Sequence, residues 1–234
     1  VQKALVTGGL GFVGSNLVDR LIDLGWQVHV VDDLSSGNEE HKNSKATYTI
    51  ADFKDYLKNP DTSVDVVFHL GAEARIQPSF EMPLYTCENN SYGSAVVAEF
   101  ARLSKCKVVY AGSSSYYGGV YLNPYAFAKW QGEEVFKMYS EVYNVTTGIA
   151  RFFNVYGPRN PLIGQYTPVV AIFEHQKSNG QVLTVVGDGE EKKDLQDLVN
   201  SKNLNNRIFL IGYTNNVCLL YTSDAADEED SVDL

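Results

Sequence analysis

The chain has 234 residues, with 19 basic and 29 acidic side chains for a formal net charge of −10, and it is 44% hydrophobic and 21% charged. That composition is globular, long enough for one α/β domain or one domain plus part of a second, and excludes a fibrous or disordered chain. The negative sign disfavours nucleic acid as a partner, since phosphate binding needs a basic face. No apolar run approaches the roughly 18–20 residues of a membrane span, so no membrane partner is expected either.

No basic stretch followed by an apolar one opens the chain, so no secretory signal is expected. Cys87, Cys106 and Cys218 show no CxxC or Cys/His spacing. They read as incidental thiols of a reducing compartment, without a metal site, and the expected location is cytoplasmic. Six acids (Asp224, Asp227, Glu228, Glu229, Asp230 and Asp233) fall in the last eleven residues, so most of the acidity belongs to the tail.

Ala4-Leu5-Val6 predicts a first strand, and Phe12 to Leu24 a helix, with apolar residues at 13, 17, 18, 21, 22 and 24. Between them lies Thr7-Gly8-Gly9-Leu10-Gly11-Phe12-Val13-Gly14, in which Gly8, Gly11 and Gly14 follow G-x-x-G-x-x-G. Gly8 permits the tight turn, Gly11 lets the backbone approach a pyrophosphate, and Gly14 lets helix and strand pack closely. The first-turn N–H groups, around Phe12 and Val13, then face the anion. Val28 to Val31 predicts a second strand ending in Asp32-Asp33, and Asp32 lies 18 residues past Gly14. Its carboxylate suits adenosine ribose hydroxyls and repels a 2′-phosphate, which argues NAD over NADP. Asp33 is the competing choice, and a plain turn or helix-cap aspartate is the bland one.

Tyr48 to Ile50 reads as a third strand, and Val64 to Leu70 is a continuous apolar run typical of a strand covered on both faces. An amphipathic stretch spans 81–103, a strand Lys107–Ala111, a second amphipathic stretch 125–143, and a strand Thr146–Phe152. Strands alternating with helices of this length argue a parallel sheet wrapped on both sides. Tyr125 and Lys129 stand four apart on one helical face. A free phenol, with a pKa of about 10, is a poor base at neutral pH, and a fixed cation nearby favours its phenolate. Ala111-Gly112-Ser113-Ser114-Ser115 ends the strand upstream, where the ligand crevice of a parallel sheet lies. Further on, Gly157 to Pro161 is a turn-rich break, Val169 to Lys177 a helix, Val182 to Val186 a strand and Gly187-Asp188-Gly189 a turn, and the pattern frays beyond Asp194.

From residue 3 to about 194 the chain resembles the extended short-chain dehydrogenase/reductase family, in its NAD-dependent nucleotide-sugar epimerase/dehydratase branch. The resemblance rests on Thr7–Gly14, Asp32-Asp33-Leu34-Ser35-Ser36-Gly37, Ala51-Asp52-Phe53 and Val67-Phe68-His69-Leu70-Gly71-Ala72. It also rests on Asn90-Ser91-Tyr92-Gly93, Tyr125–Lys129 and Arg151-Phe152-Phe153-Asn154-Val155-Tyr156-Gly157-Pro158. It implies a Rossmann-type doubly wound parallel sheet of the α/β class, with a small incomplete C-terminal substrate-binding lobe. NAD would be held by Gly8, Gly11, Phe12, Val13, Gly14, Asp32, Asp33, Ser36, Gly37, Asp52, Phe53, Leu70 and Ala72, and by Tyr125 and Lys129. In that scheme Asp52 takes the adenine amino group with Phe53 beside it.

By the same resemblance Tyr125 is the acid/base, Lys129 holds the nicotinamide ribose and lowers the Tyr125 pKa, and Ser113 bonds the reacting sugar oxygen, with Ser114 as alternate. Asn154 contacts the substrate diphosphate, and Asn90 supports the geometry of the site. The substrate is a nucleotide sugar, a UDP-hexose or relative, oxidised at C4 to a transient 4-keto sugar. Related dehydratases carry an acid pair where this chain has Ser114 and Ser115, which argues for epimerisation over loss of water. A dehydratase or reductase is the alternative within the family, and a truncated, inactive NAD-binding fragment is the alternative outside catalysis. A homodimer is expected, although the apolar faces of the Tyr125 helix are equally consistent with burial in the core.

The expected divisions are 1–155 for the NAD-binding domain, 156–195 for a partial substrate lobe, and 196–234 for a poorly defined tail, non-native or truncated. Cys218 to Glu228 resembles translated adapter sequence, and a natural acidic tail is the other reading. Lys192-Lys193-Asp194 stands where the family tends to carry an arginine before Asp-Phe, and lysine lacks the bidentate fork.

Overall fold

Four consecutive residues from Ala4 to Thr7 are buried, so Lys3–Thr7 (β1) is covered on both faces, as the middle strand of a parallel sheet must be. The computed structural model describes residues 1–161, 169–186 and 188–212, and the chain divides into two units, Val1–Pro161 and Leu162–Leu234. In the first unit β1 is joined by Gln27–Asp32 (β2), Thr47–Ile50 (β3), Val66–His69 (β4), Lys107–Ser113 (β5) and Thr147–Phe152 (β6). Their order is β3-β2-β1-β4-β5-β6, every pair parallel. The doubly wound α/β sheet expected from the sequence is therefore present, and its order reverses beside β1.

Side-chain alternation splits the core in two. Leu5, Val31, Val67, Val108 and Tyr110 face one cluster with Val97, Phe100 and Phe136, while Ala4, Val6, Val28 and Val30 face another with Val18 and Leu21. The second cluster is closed by Phe12–Asp23 (α1) and the first by Phe53–Tyr56 (α2), Gly93–Ser104 (α5) and Pro124–Tyr143 (α7).

The stretch expected as one helix over 81–103 is instead Ile76–Glu81 (α3), Pro83–Cys87 (α4), a π-helical turn at Glu88–Tyr92, and then α5. Proline bars helical backbone in the residue before it, and Met82 accordingly sits at φ −127°, ψ 60°. The wide turn aims Asn90 at the β4–α3 loop, where its amide accepts the Glu73 N–H at 2.9 Å and donates to the Glu73 carbonyl at 2.8 Å.

A short helix, Ser115–Gly118 (α6), follows the serine turn. In the second unit, Val169–Ser178 (α8) precedes Leu183–Val186 (β7). Lys192–Ser201 (α9) and Ile208–Ile211 (β8) follow, with β8 parallel to β7. Regular structure thus continues into the range expected as a tail, carried by a four-residue apolar strand too short to stand out in the sequence. Gly187, Cys218, the segment to Glu228 and the acidic terminus lie outside the described residues. No helix among the described residues is long and apolar enough to cross a membrane.

His69, the last residue of β4, is buried between the rings of Phe53, Tyr110 and Phe136. Burial pulls its imidazole from 6.5 down to about 3, and the Lys129 charge pushes the same way. The unfolded chain therefore takes up the proton that the folded protein refuses. Stability present above pH 6.5 is lost as pH falls toward 3, by at most about 1.4 kcal/mol per pH unit. Denaturant midpoints should fall between about pH 7 and pH 5, and His69→Asn should reduce that slope.

Candidate active site

The glycine turn joins β1 to α1. The Gly8 N–H donates to the Val31 carbonyl at 2.9 Å, and a Cβ added at Gly14 would lie 2.0 Å from the Gly8 carbonyl oxygen. No side chain fits there. Gly11 is different: its Cβ would meet only the Gly8 oxygen, at 3.3 Å, so the protein itself leaves that face open. Gly11 is also the N-cap of α1, provides no side-chain acceptor, and is followed by a first turn with no acid. A helix start whose N–H groups receive neither cap nor carboxylate suits an anion, and the open Gly11 face gives a diphosphate room to reach it. The turn therefore fits the dinucleotide expected from the sequence. Phe12 and Val13, the first two residues of α1, are partly buried.

Asp32 ends β2 and is buried. Its Oδ2 accepts the Leu10 N–H at 2.9 Å and its Oδ1 the Leu34 N–H at 2.9 Å, so the carboxylate braces the glycine turn as well as its own loop. Each oxygen keeps lone-pair capacity for a hydroxyl. Gly37 passes close over Oδ1, where a Cβ would stand 2.6 Å away. Asp33 and Ser36 are exposed, and Asp33 accepts the Ser35 N–H at 2.9 Å. Asp52 caps α2 by accepting the Lys54 N–H at 2.8 Å, and pairs with the buried Lys54 ammonium, also at 2.8 Å. The Phe53 ring lies in the core against His69 and Gly71 and not on the surface.

At the end of β4 the Thr7 hydroxyl accepts the Gly71 N–H at 3.1 Å and shares a 2.7 Å hydrogen bond with His69 Nδ1. This ties the mouths of β1 and β4 together. Leu70 and Ala72 flank Gly71 and are partly buried. His69 pairs in register with Tyr110 on β5, their ring centroids are 5.7 Å apart, and Lys129 Nζ lies 4.7 Å over the Tyr110 ring.

The Tyr125 helix begins where Asn123 accepts the Ala126 N–H at 2.8 Å and Pro124 occupies the first turn, a strong helix start. The Tyr125 N–H is further fixed by the Ser79 hydroxyl at 3.2 Å. The Ser113 hydroxyl is buried, and its interaction with the Tyr125 phenol favours the phenolate. Ser113 Oγ also accepts the Ser115 N–H at 3.2 Å and donates to Ser115 Oγ at 3.1 Å. Ser114 is partly buried and donates its N–H to the Phe152 carbonyl at 2.8 Å. Asn154 is exposed beyond β6.

The expectation that Lys129 lowers the Tyr125 pKa differs from what the structure gives. Burial raises the phenol, the Ser113 hydrogen bond works against that rise, and the Glu73 charge adds to it. Lys129 faces the Tyr110 ring instead, and burial brings its ammonium down to about 8 against the pull of Glu133.

Three polar contacts here escape a reading of the sequence. Glu133 is buried and chelated by Arg151, and the only hint in the chain is its place four residues beyond Lys129, where a mid-helix glutamate ordinarily reads as surface. The Asn16 amide on α1 donates to the Pro158 carbonyl at 2.9 Å, and Arg159 pairs with Asp19 at 2.7 Å, so the segment after β6 is tied to α1, the helix that follows the glycine turn.

The model of the NAD dependent epimerase/dehydratase family matches residues 4–199. A UDP-glucose 4-epimerase of Mycolicibacterium smegmatis is 34% identical over 82% of this chain and 68% of its own length. UDP-glucuronic acid decarboxylase 1 of Xenopus tropicalis is 29% identical over 85% of this chain and about half of its own, 52%. Among solved structures, the UDP-glucose 4-epimerase of Thermotoga maritima with UDP-glucose superposes with a TM-score of 0.73 at 31% identity, covering 81% of this chain and 67% of that one.

Proposed function

The chain belongs to the NAD dependent epimerase/dehydratase family, and from that premise we propose that it epimerises a nucleotide sugar, a UDP-hexose, through a transient 4-keto sugar. Gly8, Gly11, Phe12, Val13 and Gly14 would hold the NAD diphosphate, Asp32 the adenosine ribose, and Asp52 with the Phe53 main chain the adenine. Leu70 and Ala72 would lie along the cofactor toward Tyr125 and Lys129. Bound NAD would supply the acceptor for the hydride of the sugar carbon and the source from which that hydride comes back. Tyr125 removes the proton of the sugar hydroxyl and gives it back after the keto sugar has turned over. Ser113 holds that oxygen, and the positive end of α7 favours the phenolate in an otherwise unfavourable buried setting. Ser114 and Asn154 would contact the substrate, and Asn90 would hold the loop of Glu73.

The observation that supports this reading most is that the Tyr125 phenol interacts with the buried Ser113 hydroxyl on a helix that also buries the Lys129 ammonium, an expensive arrangement that cofactor binding alone does not require. Incubation with NAD and UDP-sugars tests it: an equilibrium mixture of 4-epimers supports it, and loss of water, loss of carbon dioxide or net NADH formation overturns it. Ser114 and Ser115, being unable to act as carboxylates, favour epimerisation over water loss. A homodimer belongs to the same proposal, with the exposed Leu84 of α4 and Met138 and Val142 of α7 as its apolar surface.

Replacing Asp32 by alanine removes an acceptor that faces two loop N–H groups. NAD affinity should fall about tenfold or more, and the preference over NADP should narrow. Binding titrations with both dinucleotides measure the two effects together.

A further inference from the structure

The Glu133 carboxylate is nearly inaccessible to solvent and takes three hydrogen bonds from Arg151: Nε at 3.0 and 3.1 Å and Nη2 at 2.7 Å. It also touches the serine turn, because a Cβ on Gly112 would lie 2.8 Å from Glu133 Oε1. Gly112 immediately precedes Ser113. The far side of the Arg151 guanidinium stacks 3.5 Å from the Tyr116 ring centroid, and its Nη1 donates to the Tyr117 hydroxyl at 3.1 Å. One ion pair thus joins α7, the end of β5, β6 and α6 around the turn that carries Ser113.

We propose that Glu133 is a positioning residue for Ser113, Tyr125 and Lys129: held by Arg151 against Gly112, its carboxylate braces the serine turn and supplies the negative charge that faces the Lys129 ammonium one helical turn away. The proposal rests on the reading of those three residues as the reacting set. Around the ammonium, Glu133 lies on its own helix and Tyr110 and His69 on β5 and β4, while Arg151 on β6 and Lys137 on α7 also face Glu133, and Glu73 acts on Tyr125 from the β4–α3 loop. Of these, Glu133 is the group that raises Lys129 against its burial. A buried lysine that lost this counter-charge would shed its proton within the working pH range.

The test is the titration of the Lys129 side chain by NMR in the ligand-free full chain with labelled lysine, the signal assigned through Lys129→Arg. The wild-type midpoint is expected near 8. Glu133→Gln, which keeps the shape and an acceptor for Arg151, should lower it by about one pH unit or more. Arg151→Met removes the cation paired with the carboxylate, leaves its charge to act on Lys129 and on Lys137, and should raise the Lys129 midpoint. An ion pair that only holds the fold predicts the same midpoint in all three proteins, and that result, or a shift of both variants in one direction, overturns the proposal. Should Glu133→Gln fail to fold, Arg151→Met decides alone: a midpoint equal to or below that of the wild type is the contrary result. Because no NAD or sugar is present, the outcome is separate from that of the epimerase assay.

Discussion

Tyr125→Phe should lower turnover by about a thousandfold, the scale of a lost general acid/base, while NAD affinity stays within about threefold of wild type. The substitution removes one oxygen from a partly buried ring. The ring keeps its place because the helix is fixed by Asn123, Pro124 and the bond from the Tyr125 N–H to Ser79, none of which involves the phenol. Ser113 keeps its Ser115 partners and is not orphaned. Steady-state kinetics with a UDP-sugar, paired with NAD titration, separate the two quantities. Loss of turnover with retained binding assigns the proton to Tyr125, and equal turnover would assign it elsewhere. Equal and negligible turnover in both proteins, with binding intact, would favour the reading as an inactive NAD-binding fragment.

Gly14→Ala should abolish NAD binding, by about a hundredfold or more, and destabilise the fold by about 1–3 kcal/mol. The added methyl would stand 2.0 Å from the Gly8 carbonyl oxygen, so the turn must open for the chain to fold at all. Gly11→Ala provides the contrast. Its methyl meets only that same oxygen, at 3.3 Å, and thermal stability should stay close to wild type while NAD affinity still falls. The pair distinguishes a turn kept bare for its own packing from one kept bare for a ligand. Thermal melts and NAD titrations of both variants give the comparison, and a Gly11→Ala protein that binds NAD normally would remove the turn from the cofactor site.

The sheet was legible because its strands are short apolar runs separated by strongly periodic helices, and because a glycine turn with an acid at the end of the next strand is a local pattern. The proposed reacting set has a local signature too: Tyr125 and Lys129 share one helical face, and Ser113 ends a strand that must open on the same crevice. What the sequence hides is set by contacts distant along the chain. The helix expected over 81–103 breaks because Pro83 excludes Met82 from helical backbone and because Asn90 turns to hold Glu73. Phe53 sits beside Asp52 in the chain, yet its ring packs in the core. The buried setting of the Tyr125 phenol depends on neighbours such as Glu73, 52 residues earlier, so its raised pKa could not be foreseen from an i, i+4 pair. Glu133 carries no signal apart from its spacing, because its partner Arg151 lies on β6, 18 residues further along the chain.

Three features lie at the carboxyl ends of strands of one parallel sheet: the uncapped turn after β1, the Asp32 carboxylate ending β2, and Ser113 ending β5 with Tyr125 beside it. His69 and Thr7 link the first to the last. The central claim is that one bound dinucleotide spans them, and the crystal structure of the chain soaked or co-crystallised with NAD tests it most directly. The account predicts the diphosphate on the Gly11 face of α1, the adenosine ribose on Asp32, and the nicotinamide within reach of the Tyr125 phenol and the Lys129 ammonium. A dinucleotide bound elsewhere, or one whose nicotinamide lies away from Tyr125, would contradict it.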